Sequence, residues 1–276
     1  MDRTLQSIVR SMPQPYGGYL KVAQFQTTDL TRGHPKSIDV LTLPEPTVLY
    51  TLFIRYLQLK DGYSADVAFS NAFKGIRSDV RSRLTKLVNS VQEVTTSKSS
   101  TKSLCALCEL SYYDALSAYS GLQQPRRVIR GASLTTRELA NIRALIQCAD
   151  EFCAVFGRAE HYGCLVGCTA GSSHVGCRPP KLDIITADTI WYVTVTRTRF
   201  TSDTSLYLYM AYRLALNLGY HWAEKITHIG VVNPIKGIAS TYSLASVPGV
   251  TFKDTQAIVS RLVLSSNDGC HDTCNK

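Results

Sequence analysis

The chain has 276 residues, of which 45% are hydrophobic, and 30 Lys and Arg against 21 Asp and Glu give it a formal charge of +9. This length and apolar content supply a substantial core and argue against disorder over most of the chain, and the positive balance favours a polyanionic or acidic partner, with a merely basic surface as the plain alternative. No uncharged stretch is both long and apolar enough to cross a bilayer, and residues 237–252 are broken by Pro248, Gly249 and several Ser.

Residues 1–46 read as an arm. Pro13, Pro15, Gly17, Gly18, Gly33, Pro35, Pro44 and Pro46 break any long helical period, leaving room for one or two short strands. The opening residues hold no apolar signal core, so a cytoplasmic location is expected. A helical lobe is expected over 47–157. Val48, Leu49, Leu52, Ile54, Tyr56 and Leu57 suit a buried helix with Pro46 just ahead of its first turn. Ser64 then reads as the cap of one long helix. Its stripe is Phe69, Phe73, Ile76, Val80, Leu84, Leu87 and Val91, spaced every three or four residues.

On the other faces of that stretch Lys74, Arg77 and Arg81 form a basic row at i, i+3 and i+7, with Arg83 and Lys86 nearby. A phosphate backbone could lie along it, and an ordinary solvated face is the alternative, since no aromatic residue is interleaved. TTSKSSTKS over 95–103 reads as a polar linker. Helices resume over 104–119 and 135–156, separated by the basic loop PRRVIRG, and Ser133 or Thr135 can cap the second with Glu138 supplying the expected acid.

Residues 158–264 read as an α/β core. LDIITADTIWYVTVTRTRF gives strands and a hairpin, SLYLYMAYRLALNLGYHW a long helix, and ITHIGVVNPIKGIASTY a strand turned back at Asn-Pro. Leu206, Met210, Leu214 and Leu218 make one apolar row of that helix, and Tyr209, Tyr212 and Tyr220 add an aromatic surface that suits packing more than base stacking. A last helix over 253–264 would pack Ile258, Val259 and Leu262, and 265–276 is a polar tail.

The nine cysteines are odd in number, which argues against a closed disulfide framework. Cys105, Cys108, Cys148 and Cys153 fall in apolar helical patterns as core fillers. Cys164, Cys168, His174 and Cys177 form a C-x3-C-x5-H-x2-C run whose ligand types suit tetrahedral zinc, though the spacing is irregular and loop cysteines without metal are the alternative. Cys270, His271 and Cys274 lie in the tail. His221 and His228 have no clear acid or nucleophile partner in the sequence, and no phosphate loop, dinucleotide fingerprint or paired-carboxylate hydrolase signature is present.

The segments TVLYTLFIRYLQLKDGYSADVAFSNAF, LCALCELSYYDALSAYSG, DIITADTIWYVTV, SLYLYMAYRLALNLG and IGVVNPIKGIASTY resemble successive blocks of a bacterial family, common in Gram-positive genomes, that has a PD-(D/E)XK restriction-endonuclease-like core. The resemblance runs over residues 47–263 and implies that core behind a helical N-terminal lobe. It aligns Asp183 with the family's first metal-binding Asp. The family's second acid and Lys fall on Tyr192 and Thr194, and its helix Gln on Tyr207.

In such enzymes two carboxylates hold a divalent cation and the Lys helps orient the attacking water. Alternation on a regular strand would put Trp191, Val193 and Val195 on the buried face, with Tyr192, Thr194 and Thr196 toward the site. Asp188, Lys181, Arg197 and Arg199 could rescue the lost chemistry from neighbouring positions, but Asp188 also reads as a turn residue, and the two Arg need a bulge to point inward. Three function readings follow. The first is a catalytically degenerate nuclease-like protein that binds DNA or RNA, with Arg197 and Arg199 beside the basic row and no cofactor. The second is an active nuclease with a rearranged site around Asp183, requiring Mg2+. The third is an interaction module in which Tyr192 and the tyrosine-rich helix fill the old cleft. No membrane association is expected, and the oligomeric state is open.

Overall fold

A computed structural model describes residues 3–15, 18–31, 45–74, 78–96, 100–118, 134–167, 177–198 and 200–264. Among these residues no helix is long and apolar enough to cross a membrane. The chain is a mixed α/β protein built on a sheet of six strands with helices on both faces.

Helix α2 (Pro46–Lys60) starts with its proline in the first turn, where the missing N–H costs nothing. It is apolar nearly all round, from Val48, Leu49, Leu52 and Phe53 to Tyr56 and Leu57, as suits the central helix of the lobe. Around it stand α4 (Ser78–Val91), α5 (Thr101–Ala118) and α6 (Thr136–Phe156). Thr135 caps α6 through a reciprocal box with Glu138, as its spacing predicts. Asp150 of α6 ties α2 at two points, accepting from the Tyr56 hydroxyl at 2.8 Å and pairing with Lys60 at 2.8 Å.

The single helix expected from Ser64 onward is instead broken. Ser64 heads only a one-turn helix, α3 (Ala65–Ala68), and makes no side-chain cap bond. Phe69 leaves helical geometry at φ −105° and ψ 21°, a 3-10 turn follows over Ser70–Phe73, and α4 begins at Ser78. Gly75 falls in the interval, and a glycine inside a helix costs about 1 kcal/mol relative to alanine. The apolar stripe survives the break because Phe69, Leu84, Val88 and Val91 still bury against the same core. The 95–103 linker is shorter than its composition suggests: Gln92–Thr95 is a 3-10 turn and α5 takes up residues from Thr101.

The sheet runs in the order β2 (Gln26–Asp29), β8 (Ile238–Ser243), β7 (His228–Asn233), β6 (Thr189–Val193), β5 (Lys181–Ile185) and β3 (His161–Leu165). All neighbours are antiparallel except β6 and β7, which are parallel and joined through helix α7 (Ser202–Asn217). A separate parallel bridge joins β1 (Arg3–Thr4) to β4 (Cys177–Arg178).

Two cores result. On the lobe side Trp191, Val193 and Val232 pack with Phe53, Phe69 and Phe152. On the other side Ile190, Ile229 and Val231 pack against α7 through Leu206 and Met210, against α8 (Gly249–Leu264) through Val259, and against α1 (Leu5–Ser11) through Leu5 and Val9. Residues of the N-terminal arm thus belong to the core, with Leu20 and Phe25 buried on the α7 side and β2 closing one edge of the sheet.

Trp191 is the keystone of the lobe-side core. Its ring meets Phe152 and Phe156 edge-on at centroid distances of 4.9 and 4.5 Å, and its Nε1–H donates to Thr186 Oγ1 at 3.1 Å, so a fully buried indole leaves no donor unpaired. The ring lies so close over Gly230 of β7 that a Cβ there would overlap it.

Candidate functional site

Asp183 stands in the middle of β5, the first arm of the hairpin, and not at the end of a strand preceding it. Main-chain pairing with β6 covers Ile184↔Trp191 and Ile185↔Ile190. At Asp183 the carboxylate takes over, with Oδ2 accepting the Val193 N–H at 2.8 Å and Oδ1 accepting the Tyr50 hydroxyl at 2.5 Å. Ile184 packs in the lobe-side core while Leu182 and Ile185 pack on the α7 side, so strict alternation breaks at Asp183 and Ile184, which both turn to the lobe. On the neighbouring strand Gly163, with φ 62°, stands opposite this break between the paired residues Tyr162↔Ile184 and Cys164↔Leu182.

Asp183 is 6% exposed. Burial pushes its carboxyl above the ordinary Asp range, opposed by the Tyr50 hydroxyl, the Val193 N–H and the charge of Lys181. It borders a pocket of about 230 Å³ whose walls come from α2 (Tyr50, Arg55, Gln58), the 3-10 turn (Asn71), β3 (Tyr162) and β5 (Lys181). Arg55 is anchored from behind, its Nε and Nη2 donating to Asp114 Oδ2 of α5 at 3.0 and 2.8 Å and its Nη1 to Gln58 Oε1 at 2.7 Å. Burial pushes Asp114 up as well, against the pull of Arg55. Burial, with the hydrogen bond that Tyr162 donates to Asp61 Oδ2 at 2.5 Å, drives its phenol far above the ordinary tyrosine range. The Lys181 ammonium stands 5.6 Å from the Tyr50 ring centre.

The positions aligned with the lost catalytic letters do not gather around Asp183. Tyr192 lies on the opposite face of the sheet, its ring 6.4 Å from that of Tyr207 in the α7-side core. This corrects the expectation that Tyr192 shares a face with Asp183, and the physical reason is the break in alternation at Asp183. The face of Trp191 and Val193 is buried as expected, but so is the other face, because the sheet is covered on both sides. Tyr207 serves the backbone, its hydroxyl donating to the Lys181 carbonyl at 3.0 Å and accepting the Lys181 N–H at 2.9 Å. Thr194 is buried and shares a hydrogen with Thr196 at 3.1 Å.

Of the described positions weighed for rescue, Lys181, Asp188 and Arg197, Lys181 alone lines the pocket. Asp188 is a turn residue, accepting from the Thr189 hydroxyl at 2.7 Å while its carbonyl takes the N–H groups of Thr227 and His228. Arg197 is exposed beyond the end of β6, and Arg199 lies outside the described residues. Arg77 of the basic row also lies outside them, whereas Lys74, Arg81 and Lys86 are exposed. In the cysteine run, Cys164 is half-buried in β3, paired in register with Leu182. Cys168 and His174 lie outside the described residues, as does the side chain of Cys177, whose backbone forms β4 with Arg3. Among the described residues no three His, Cys, Asp or Glu side chains converge as a metal site would need.

Arg55, Gln58, Asn71 and Tyr50 were not singled out by the sequence. The signal available was the pair Arg55 and Gln58, two polar residues one turn apart in the otherwise apolar run YTLFIRYLQLK. Comparisons with protein-family models, with curated proteins and with solved structures return no match.

Proposed function

We propose that this chain is a catalytically degenerate nuclease-like protein that binds nucleic acid through its basic surface without cutting it. The scaffold part is supported by the succession of hairpin β5–β6, crossover helix α7 and strand β7, the order that the PD-(D/E)XK resemblance implies, although Asp183 stands on the hairpin's first arm and not at the end of a strand before it. The loss of catalysis is supported by what Asp183 does. Both its oxygens accept hydrogen bonds from within the fold, and it is the sole carboxylate among the residues lining its pocket. A hard divalent cation needs several oxygen ligands.

The observation that carries the binding part is a contrast along α4. Arg83 turns inward to Glu109 at 2.8 Å, whereas Arg81 and Lys86 on the same helix are exposed with no ion pair among the described residues, and Lys74, ahead of the helix, is exposed and acts on the buried Asp114 only through its field. Arg81 reaches the Phe73 carbonyl at 3.5 Å, which brings its guanidinium beside Lys74. Cations not engaged in internal pairs remain free to displace counterions from a phosphate backbone.

Fluorescence anisotropy with labelled single- and double-stranded oligonucleotides, titrated across salt, tests this reading. The logarithm of the affinity should fall linearly with the logarithm of salt. Lys74→Glu with Arg81→Glu should weaken binding to all sequences alike and lower the salt slope by about 1.4–1.8, two phosphate contacts' worth. Absence of binding at low salt, or binding indifferent to salt, rejects it. The interaction-module reading is disfavoured by α7, where Tyr209 is buried and Tyr207 and Tyr212 are half-buried. The active-nuclease reading, with its Mg2+, needs Asp183 to give up the bonds that hold it.

A further inference from the structure

In the pocket beside Asp183 the carboxylate oxygens and Gln58 Oε1 are occupied as acceptors, while several donors are not. Among its acceptors, Asp183 takes the Tyr50 hydroxyl and the Val193 N–H, and Gln58 Oε1 takes Arg55. The Tyr50 and Tyr162 hydroxyl hydrogens are spent on Asp183 and Asp61, and that of Thr51 on the Thr47 carbonyl. What remains is the Lys181 ammonium, the two N–H hydrogens that Arg55 does not give to Asp114 or Gln58, the Gln58 amide N–H2 and the Asn71 side-chain amide. Asp114, which neutralises Arg55, is not part of the lining, so the cation is presented and its counter-charge is held behind it.

A partly enclosed space with surplus donors and two cations, beside one carboxylate whose oxygens already accept from Tyr50 and Val193, is complementary to an oxyanion. At about 230 Å³ it is smaller than the ~300–1,000 Å³ of sites for drug-sized ligands. It therefore suits a phosphate or carboxylate carrying a short appendage, not a continuous strand. We infer that the pocket between α2 and β5 is a binding site for a small oxyanion, gripped by Lys181 and Arg55 and oriented by Asn71 and Gln58. This site is separate from the α4 surface and stands or falls independently of nucleic-acid binding.

The test titrates the whole chain with inorganic phosphate and, in a second arm, with acetate, each against sodium chloride at matched ionic strength, following thermal stability and amide chemical shifts. At least one anion should stabilise the wild type saturably and move the Asn71 and Gly163 amides with the same saturation; the responding arm identifies phosphate or carboxylate. Lys181→Gln, at an exposed position, should weaken binding about tenfold or more, and Lys225→Gln, exposed and outside the pocket, should leave it unchanged. Neither anion acting beyond chloride, shifts confined to the region of Lys74 and Arg81, or Lys181→Gln binding as tightly as the wild type would each overturn the assignment.

Discussion

The Tyr50 hydroxyl of α2 and the Asp183 carboxylate of β5 meet at 2.5 Å across 133 residues of sequence, joining the helical lobe to the sheet at the residue where strand alternation breaks. The bond occupies the carboxylate oxygen that a cation would otherwise claim. Tyr50→Phe should therefore destabilise the chain by about 1–3 kcal/mol, the cost of leaving a buried acceptor without its donor. Urea unfolding measures it, and a change within error of zero would show that water replaces the hydroxyl.

The same pair gives a pH dependence. Burial holds Asp183 above its usual 3.8 in the folded chain, so the folded state binds this proton more tightly than the unfolded state. Asp183 thus contributes stability below the ordinary carboxyl value, and that contribution is lost as the pH rises through the raised one. The stability difference between wild type and Asp183→Asn should fall across that window and level off above it. A difference flat with pH contradicts the assignment.

Neither Mg2+ nor Mn2+ should elicit cleavage, and the substitutions that the sequence alone recommends should not restore it. Tyr192→Glu with Thr194→Lys would be the minimum repair if both side chains shared a face with Asp183. Tyr192 instead packs against Tyr207 on the far side of the sheet. The double variant should lose stability without gaining activity; metal-dependent cleavage by it, abolished by Asp183→Ala, would show that the site assembles after all.

Arg55 is anchored by Asp114, which is buried. Arg55→Met should cost about 3–5 kcal/mol by stranding that carboxylate. Arg55→Met with Asp114→Leu should recover much of the loss, and equal destabilisation of the single and double variants would mean that packing, not charge, dominates.

Gly230 carries the face of Trp191, and Gly230→Ala should destabilise by about 1–3 kcal/mol through overpacking. Pairing it with Trp191→Leu tests the cause by a double-mutant cycle: additivity would remove the ring as the reason.

Much of the scaffold was legible because its periodicities are long. The α2 and α6 boundaries, the hairpin, α7 and the strand β7 with its turn at Asn-Pro each follow from apolar spacing with a cap or turn residue at the end, whereas the parallel pairing of β7 with β6 does not. The stripe from Phe69 to Val91 misled because a broken chain can keep presenting apolar residues to one core. The site was legible at Asp183 and Lys181 but not at Tyr192, since one irregular residue reverses every later inference from alternation. Arg55, Asn71 and Asp114 were hidden for a different reason: they meet through tertiary contacts that no local spacing encodes.

The pairing of β2 with β8 sets an order of events during synthesis. Thr27 and Ser240 share a hydrogen at 3.1 Å over a separation of 213 residues, among the contacts most distant in sequence. The helical lobe is built from contacts within one continuous stretch and can condense while the chain is still being made. The arm cannot, because its strand and the surface that buries Leu5 and Val9 do not exist until α7 and β8 have emerged. The arm is therefore made before the surfaces that hold it, and its docking reports that α7 and β8 have been made.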